Sequence, residues 1–272
     1  MGDPNSSGSA LRITGDSARP DLIAGSERVV AFTGAGVSTE SGLPDFRSPG
    51  GLWTRYDPMK MTFGRYVDSA DVRRQSWAMR REFFAKQIEP NAAHRAFARL
   101  EEAGRCLGVV TQNIDGLHQA AGSRTVVELH GTAREVGCIG HRPRGGMPNG
   151  CGWRAPYTWA LEAIDAGDDD PSCPQCGGLV KSATVSFEQV LPPENVERAY
   201  ELVAHADLLI AAGSSLQVYP AAGLPEVATA HGARLAIVNI EPTPLDDLAT
   251  LVVHEKAGEV IGRAVEAVLG GS

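Results

Sequence analysis

The stretch that most narrows what this chain can fold into is the apolar run Leu107-Gly108-Val109-Val110, followed at once by Thr111-Gln112-Asn113-Ile114-Asp115-Gly116-Leu117-His118. A buried strand ending in amides and a carboxylate delivers polar groups to the carboxyl edge of a sheet, where open α/β sheets bind their ligands. Gly116 lets the chain turn away. After Gly122 a second short apolar run, Val126-Val127-Glu128-Leu129, brings His130 to what should be the same edge. Two neighbouring strand ends thus predict one pocket shared by Asn113, Asp115 and His130. Taken alone, Asn, Asp and His are also ordinary helix caps and turn formers, so the reading depends on what else the chain sends to that edge.

Other strands carry the same signature. Arg28-Val29-Val30-Ala31-Phe32 runs into Thr33-Gly34-Ala35-Gly36-Val37-Ser38-Thr39-Glu40-Ser41-Gly42. Glycines at a strand-to-helix turn let backbone amides approach a pyrophosphate. The dinucleotide fingerprint is met only in part: Gly-x-Gly stands at 34 and 36, but Thr39 holds the third position. No acidic residue follows about 20 residues on to hold a ribose. Gly42-Leu43-Pro44-Asp45-Phe46-Arg47-Ser48 comes instead, and a plain hydride-transfer enzyme fits poorly. In the last third, Leu208-Leu209-Ile210-Ala211-Ala212 ends in Gly213-Ser214-Ser215, and Leu235-Ala236-Ile237-Val238 ends in Asn239. Helices are expected over Glu194 to Ala204 and Glu259 to Leu269. The 272 residues predict an α/β fold, a Rossmann-like parallel sheet with helices on both faces, a small zinc-ribbon module and a helical insertion.

Two segments interrupt the alternation. In the first, Tyr66, Val67, Val72, Trp77, Met79, Phe83, Phe84 and Ile88 among many charges read as one or two amphipathic helices with the aromatics turned to a core. Pro90-Asn91-Ala92-Ala93-His94 then opens another helix running through Leu100 to Gly104. In the second, Cys173-Pro174-Gln175-Cys176-Gly177-Gly178 is a metal knuckle, because two thiolates two residues apart can grip one tetrahedral ion. One knuckle supplies half a site. Cys138 and Cys151, with twelve residues between them, are candidates for the other half, with His141 as the alternative to Cys151. Cys151-Gly152 repeats the Cys-Gly ending of the knuckle, and thiolate is the commoner ligand in structural sites, so Cys138, Cys151, Cys173 and Cys176 are the expected set. Four protein ligands leave no open position, which makes such a zinc structural. Cys106 reads as a buried thiol without function.

The expected organisation is a disordered leader over 1–20, a sheet domain from 21–50, 91–135 and 183–272, a helical insertion over 51–90 and a zinc module over 136–182. The leader is rich in Gly, Ser, Asp and Pro, with neither an apolar signal core nor an Arg-rich amphipathic pattern, and no run of about 20 apolar residues occurs. A cytoplasmic protein that neither enters nor binds a membrane is expected, in a reducing compartment that disfavours pairing the cysteines as disulfides. The 25 basic against 33 acidic side chains, a net charge of −8, argue against a sequence-independent grip on nucleic acid and make a basic peptide the easier partner. Nothing in the sequence sets an oligomeric state.

Gly-Ala-Gly-x-Ser at 34–38, Gly-Leu-Pro-Asp-Phe-Arg at 42–47, Thr-Gln-Asn-Ile-Asp-Gly-Leu-His at 111–118 and His130-Gly131 stand in the order and spacing of the sirtuins. The resemblance resumes at Gly213-Ser214-Ser215-Leu216-Gln217-Val218-Tyr219-Pro220, at Asn239-Ile240-Glu241-Pro242-Thr243 and at Ala257-Gly258-Glu259-Val260, and covers about residues 25 to 268. Within the family, Gly-Ser-Ser-Leu-Gln-Val-Tyr, Asp246-Asp247-Leu248-Ala249 and Arg74-Gln75-Ser76-Trp77-Ala78-Met79-Arg80 look most like a bacterial member of the class II, mitochondrial-type branch. Two departures stand out. Where some sirtuins that remove acidic acyl groups carry Tyr-x-x-Arg, this chain has Trp77-Ala78-Met79-Arg80, which disfavours a desuccinylase. Where the family has Gly after the Phe of Thr184-Val185-Ser186-Phe187, Glu188 stands.

The resemblance implies an NAD-dependent protein-lysine deacylase that transfers the acyl group to ADP-ribose and releases nicotinamide, with an acyl-lysine protein or peptide as partner and a structural zinc. It assigns His130 as base, Asn113 to the nicotinamide ribose, Asp115 to the nicotinamide carboxamide and Phe46 as a screen for the reacting carbon. It places Ala35, Gly36, Ser38, Arg47 and Gln112 along the phosphates and ribose and Gly213, Ser214, Asn239 and Glu241 near the adenosine half, with Gly34, Asp45, Ile114, Ser215 and Ala257 also in the cofactor site. Lys181 to Gln189 would return to the main sheet and offer Val185, Ser186, Phe187 and Glu188, with Val218 opposite, to an extended peptide. His94 repeats a family motif of structural character. The alternatives are a mono-ADP-ribosyltransferase using the same pocket, or a module that binds NAD or ADP-ribose with weak or no turnover, for which Glu188 is the evidence.

Overall fold

The structure, a computed structural model, describes residues 11–12, 20–46, 48–55, 57–60, 62–84, 88–141, 143 and 146–270. The strands are β1 (Leu11–Arg12), β2 (Val29–Thr33), β3 (Cys106–Thr111), β4 (Val126–Glu128), β5 (Gly131–Gly140), β6 (Arg154–Pro156), β7 (Leu179–Thr184), β8 (Leu208–Ala212), β9 (Arg234–Val238) and β10 (Leu251–Val253). The helices are α1 (Pro20–Ala24), α2 (Leu52–Arg55), α3 (Phe63–Asp68), α4 (Ala70–Phe84), α5 (Ala92–Glu102), α6 (Leu117–Ala120), α7 (Tyr157–Asp165), α8 (Pro193–Ala204), α9 (Leu224–Ala230) and α10 (Ala257–Leu269).

Seven strands make one parallel sheet in the order β1-β10-β9-β8-β2-β3-β4. Its central strands are buried on both faces, which is why they read as continuous apolar runs. Alternate side chains feed two cores. Val29 and Ala31 pack with Phe97 and Leu100 of α5 and Val260, Ile261 and Val265 of α10. Val30 and Phe32 pack on the opposite face with Ala199 and Val203 of α8 and Leu224 and Ala228 of α9. Each fully buried Leu, Ile or Phe in these layers stabilises by roughly 1.5–3 kcal/mol relative to leaving it exposed. The chain moves outward from β2 in one direction through β3 and β4, and in the other through β8, β9 and β10. The sheet therefore has its topological switch point between β2 and β8, where a ligand crevice opens.

A smaller antiparallel sheet, in the order β6-β5-β7, carries the cysteines. Around it Trp77 of α4 packs with Val136, Tyr157, Ala160, Cys173 and Val180. Phe63 and Tyr66 of α3 pack against Ile139. The insertion helices thus rest on the small sheet.

Several expectations are corrected. Residues 11 and 12 lie inside the expected disordered leader yet pair in parallel with Leu251 and Val252, because the outer edge of β10 offers an unpaired ladder. Boundaries at 135/136 and 182/183 cut through β5 and β7, which pair with one another from Gly131↔Thr184 outward. Lys181 to Gln189 does not rejoin the main sheet: its extended part ends at Thr184 as the third strand of the small sheet, and residues 186–189 form a turn closed by Gln189 N–H on the Ser186 carbonyl at 3.0 Å. The expected helix after the first glycine turn is a 3-10 helix over Ala35–Ser41. The module also holds a helix, α7, for which no sequence signal stands out.

Candidate active site

At the switch point the carbonyl of Gly213 is driven between two turns. It accepts the N–H of Gly36 at 2.8 Å, and a Cβ at Gly34 or Gly36 would lie 2.7 or 2.8 Å from that oxygen. Gly213 itself has φ +60°, and its own Cβ would meet Val37 N at 2.1 Å. Three glycines are therefore required by one backbone contact. The contact leaves a groove floor of bare backbone, as a bound pyrophosphate needs.

From this floor opens a cleft of about 1210 Å³. Typical small-molecule sites span about 300–1,000 Å³, so there is room for a dinucleotide and a second reactant. The wall contributed by the sheet ends holds Gly34, Ala35, Gly36 and Ser38 after β2, Gln112, Asn113, Ile114 and Asp115 after β3, His130 after β4, Gly213, Ser214 and Ser215 after β8, and Asn239 and Glu241 after β9. Asp45, Phe46 and Ala257 also line it, as do Val185, Ser186, Phe187, Glu188 and Val218. Arg47 lies outside the described residues.

Hydrogen bonds fix the polar groups. Ser38 Oγ donates to Asp115 Oδ2 at 2.8 Å and accepts from Asn113 Nδ2 at 3.1 Å, so one hydroxyl bridges the amide and the carboxylate. Asp115 Oδ1 accepts Leu117 N–H at 2.9 Å, the start of α6. Burial pushes the Asp115 carboxyl above its ordinary range, and the Leu117 and Ser38 donors pull it partly back. Gln112 Nε2 donates to Ser214 Oγ at 2.7 Å, joining the ends of β3 and β8. Asn239 Nδ2 donates to the Glu241 carbonyl at 2.7 Å. Asp45 accepts from Ser48 N–H at 2.9 Å, so its carboxylate shapes its own loop.

His130 Nδ1 lies 2.9 Å from the Gln112 carbonyl. A carbonyl only accepts, so Nδ1 carries the proton and Nε2 keeps its lone pair. Burial pushes the imidazole below its ordinary pKa, partly opposed by that bond. Behind the site, His94 is buried and pushed down to about 4 by burial. Its Nδ1 accepts Asn91 N–H at 3.2 Å in a capping box, a structural position.

The turn at 186–189 differs from expectation. Phe187 gives its carbonyl to Phe63 N at 2.9 Å, and Val190 gives its N–H to Gly146 O at 3.2 Å. Glu188 has φ +70°, at the third position of the 186–189 turn, where a left-handed residue is normally Gly. Its carboxylate reaches Gly64 N at 3.4 Å.

The four thiols Cys138, Cys151, Cys173 and Cys176 have sulfurs all within 4.8 Å of one another, with Cys138 and Cys176 at 3.5 Å and Cys151 and Cys173 at 3.6 Å. Thiolates around a tetrahedral zinc stand about 3.8 Å apart, from zinc–sulfur bonds of about 2.3 Å, so the set fits the ion. Cys151 supplies the fourth sulfur. Cys106 is buried with its thiol pushed up to about 12.

Another wall of the cleft is formed by Tyr66 of α3 and Val72, Ser76, Met79 and Arg80 of α4. Tyr66 reads from sequence as a core residue, and it is buried, its hydroxyl donating to the Val180 carbonyl at 2.7 Å. Met79 and Arg80 belong to the 77–80 segment that the resemblance singles out for acyl selection, whereas Tyr66, Val72 and Ser76 have no signal beyond helical spacing on a face of mixed polarity.

Comparisons with known proteins agree with this geometry. Residues 34–220 match the Sir2 family model. The chain is 48% identical to NAD-dependent protein deacetylase 2 of Streptomyces coelicolor, over 91% of this chain and 98% of that one. It is 46% identical to an NAD-dependent protein deacetylase of Rhodopseudomonas palustris, over 89% and 92%. A solved Sir2 structure with a deacetylated p53 peptide and 3'-O-acetyl ADP-ribose superposes with a TM-score of 0.82 at 36% identity, over 93% of this chain and 98% of that one. With the glycine floor, the strand-end cleft and the four-cysteine cluster in place, this chain belongs to the Sir2 family.

Proposed function

We propose that the chain is an NAD-dependent protein-lysine deacetylase that transfers the acyl group to ADP-ribose and releases nicotinamide. The observation that carries the reading is the imidazole of His130, held by the Gln112 carbonyl with Nε2 unprotonated at a cleft that Asn113 and Asp115 also line. The co-substrate supplies an anomeric carbon with a pyridinium leaving group, a bond that needs positioning and shielding more than acid. The glycine floor at Gly34, Gly36 and Gly213 takes the pyrophosphate, Asn113 orients the adjoining ribose, and Asp115 accepts from the carboxamide. Phe46 closes the reacting carbon off from water. His130 Nε2 removes a ribose hydroxyl proton, a task suited to a base whose ordinary pKa lies near working pH.

The partner is an acyl-lysine protein or peptide seated between the 185–190 segment and Val218. Among the described residues no helix is long and apolar enough to cross a membrane. Four of the five cysteines stand together as a cluster that could hold a metal, a use of thiols that supports a reducing, cytoplasmic setting. The test is nicotinamide release from NAD with and without an acetyl-lysine peptide, followed by mass spectrometry of the acceptor. Peptide-dependent release with O-acyl-ADP-ribose is expected. An ADP-ribosylated protein would replace this reading with transfer to protein, and NAD binding without release would replace it with a binding module.

A further inference from the structure

Helix α4 has two working faces. Val72, Ser76, Met79 and Arg80 line the cleft. Arg73, Arg74, Trp77 and Arg81 face the small sheet's helix α7 and the segment after it. Two of the ion pairs there, Arg74 to Asp169 at 3.0 Å and Arg81 to Asp165 at 2.5 Å, join side chains 44–67% exposed, and such pairs hold little. Arg73 is different. Its side chain is 11% exposed, its Nε and Nη2 each lie 2.8 Å from an Asp170 oxygen, and its Nη1 donates to the carbonyls of Tyr66 and Val67 at 3.0 Å. One guanidinium therefore ties α4 to the C-terminal end of α3 and both to Asp170. Asp170 is in turn anchored through the residues just C-terminal to it: Ser172 bridges Leu179 and Cys173 N–H donates to Gly178 O at 2.8 Å, the first turn of the cysteine knuckle.

The cleft face of α4 reaches the chemistry in two bonds. Arg80 Nη2 donates to Thr184 Oγ1 at 2.7 Å, and the next residue, Val185, gives its N–H to the His130 carbonyl at 2.8 Å. No residue of this wall belongs to the glycine floor.

We propose that Asp170, acting through Arg73, is a positioning residue for the acyl-lysine side of the cleft, so that the cysteine module sets peptide affinity while the sheet sets NAD affinity. The proposal rests on the deacetylase reading for its kinetic test only.

Asp170→Asn keeps the shape and removes the charge. The expected result is a roughly tenfold rise in peptide KM, with kcat and NAD KM within about twofold of the parent, and one zinc per chain. Arg73→Lys, which cannot span Asp170 and both α3 carbonyls, should act alike, and the double variant should be no worse than either single one. Asp165→Asn and Asp169→Asn should leave peptide KM unchanged. Hydrogen exchange adds a readout independent of turnover: residues 63–84 should lose protection in Asp170→Asn while β2, β3 and β8 keep theirs. A lower melting temperature with unchanged peptide KM and unchanged exchange over 63–84 would overturn the proposal. An inactive parent would overturn the deacetylase reading, and the exchange pattern would still decide the positioning role.

Discussion

The two sides of the cleft are held by different forces. The floor and sheet-end wall are fixed by backbone: a parallel ladder, the Gly213 carbonyl seated against Gly34 and Gly36, and strands buried on both faces. The opposite wall is fixed by side chains: a buried arginine, a cluster of four thiols and a few aromatic contacts around the small sheet. Backbone interlocks leave little to vary, while side-chain ties can be cut one at a time. The first side should behave as a rigid receptor and the second as an adjustable one.

The largest test of that contrast is to remove the metal. Cysteine ligation is worth about 10–16 kcal/mol in small zinc modules. Cys173→Ser should therefore lose the one zinc expected per chain and the protection of β5 to β7 in hydrogen exchange, while β2, β3 and β8 stay protected; loss of the whole sheet would break the comparison. Cys151→Ser that kept its zinc would move the fourth ligand to His141.

Next comes His130→Ala, which should slow deacylation by about 10²–10⁴ fold, the usual contribution of a positioned base. Melting temperature and NAD affinity should stay near the parent values, because the imidazole serves chemistry and not the core. Near-normal turnover would remove His130 from the mechanism.

A smaller effect comes from pH. Burial lowers the pKa of His94 to about 4, of His118 well below its ordinary value, and of His130. Below about pH 6.5 the unfolded chain binds protons that the folded chain refuses, so stability falls as pH drops through that value. For His94 the loss stops growing near pH 4. The raised pKa of Asp115 works in the opposite sense over the carboxylate range. Denaturant unfolding between pH 7.5 and 5.5, above most of the carboxylate range, should show the decline, and a flat profile there would mean that these histidines are not buried neutral.

The smallest expected change is at Glu188. A left-handed non-Gly residue costs about 1–2 kcal/mol, and Gly gives back part of that through a more flexible unfolded chain. Glu188→Gly should stabilise by about 0.5–1 kcal/mol. If the carboxylate also selects basic peptides, the variant should gain more on neutral and acidic peptides than on Arg-flanked ones; equal kinetics across such a set would leave Glu188 with a backbone cost and no substrate role.

The division between the two sides also explains what can be read from sequence. Strands buried on both faces leave unbroken apolar runs, and their ends must place Gly36, Asn113 and His130 at one edge, so the sheet and its crevice are legible. Half of the cysteine set is legible because Cys173 and Cys176 stand two residues apart, as a metal knuckle requires; Cys138 and Cys151, far apart in sequence, are brought together only by the fold. The wall from α3 and α4 is legible only at Met79 and Arg80, through the resemblance of the 77–80 segment; Tyr66, Val72 and Ser76 share that wall without sharing a chemistry. Asp170 gives no signal among the acidic residues around it, since its role comes from a contact 97 positions away. The turn at 186–189 is hidden because Glu188 occupies a conformation that its residue type rarely adopts.

His130 is bound at both ends: its ring to the Gln112 carbonyl just past β3 of the large sheet, its own carbonyl to the Val185 N–H just past β7 of the small one. The chain crosses between the sheets at Gly131, whose φ is +71° and whose missing Cβ would stand 2.1 Å from the Ala183 carbonyl. A side chain at that position would have to push the two sheets apart, so the spacing between the imidazole and the small sheet is set by one missing methyl group.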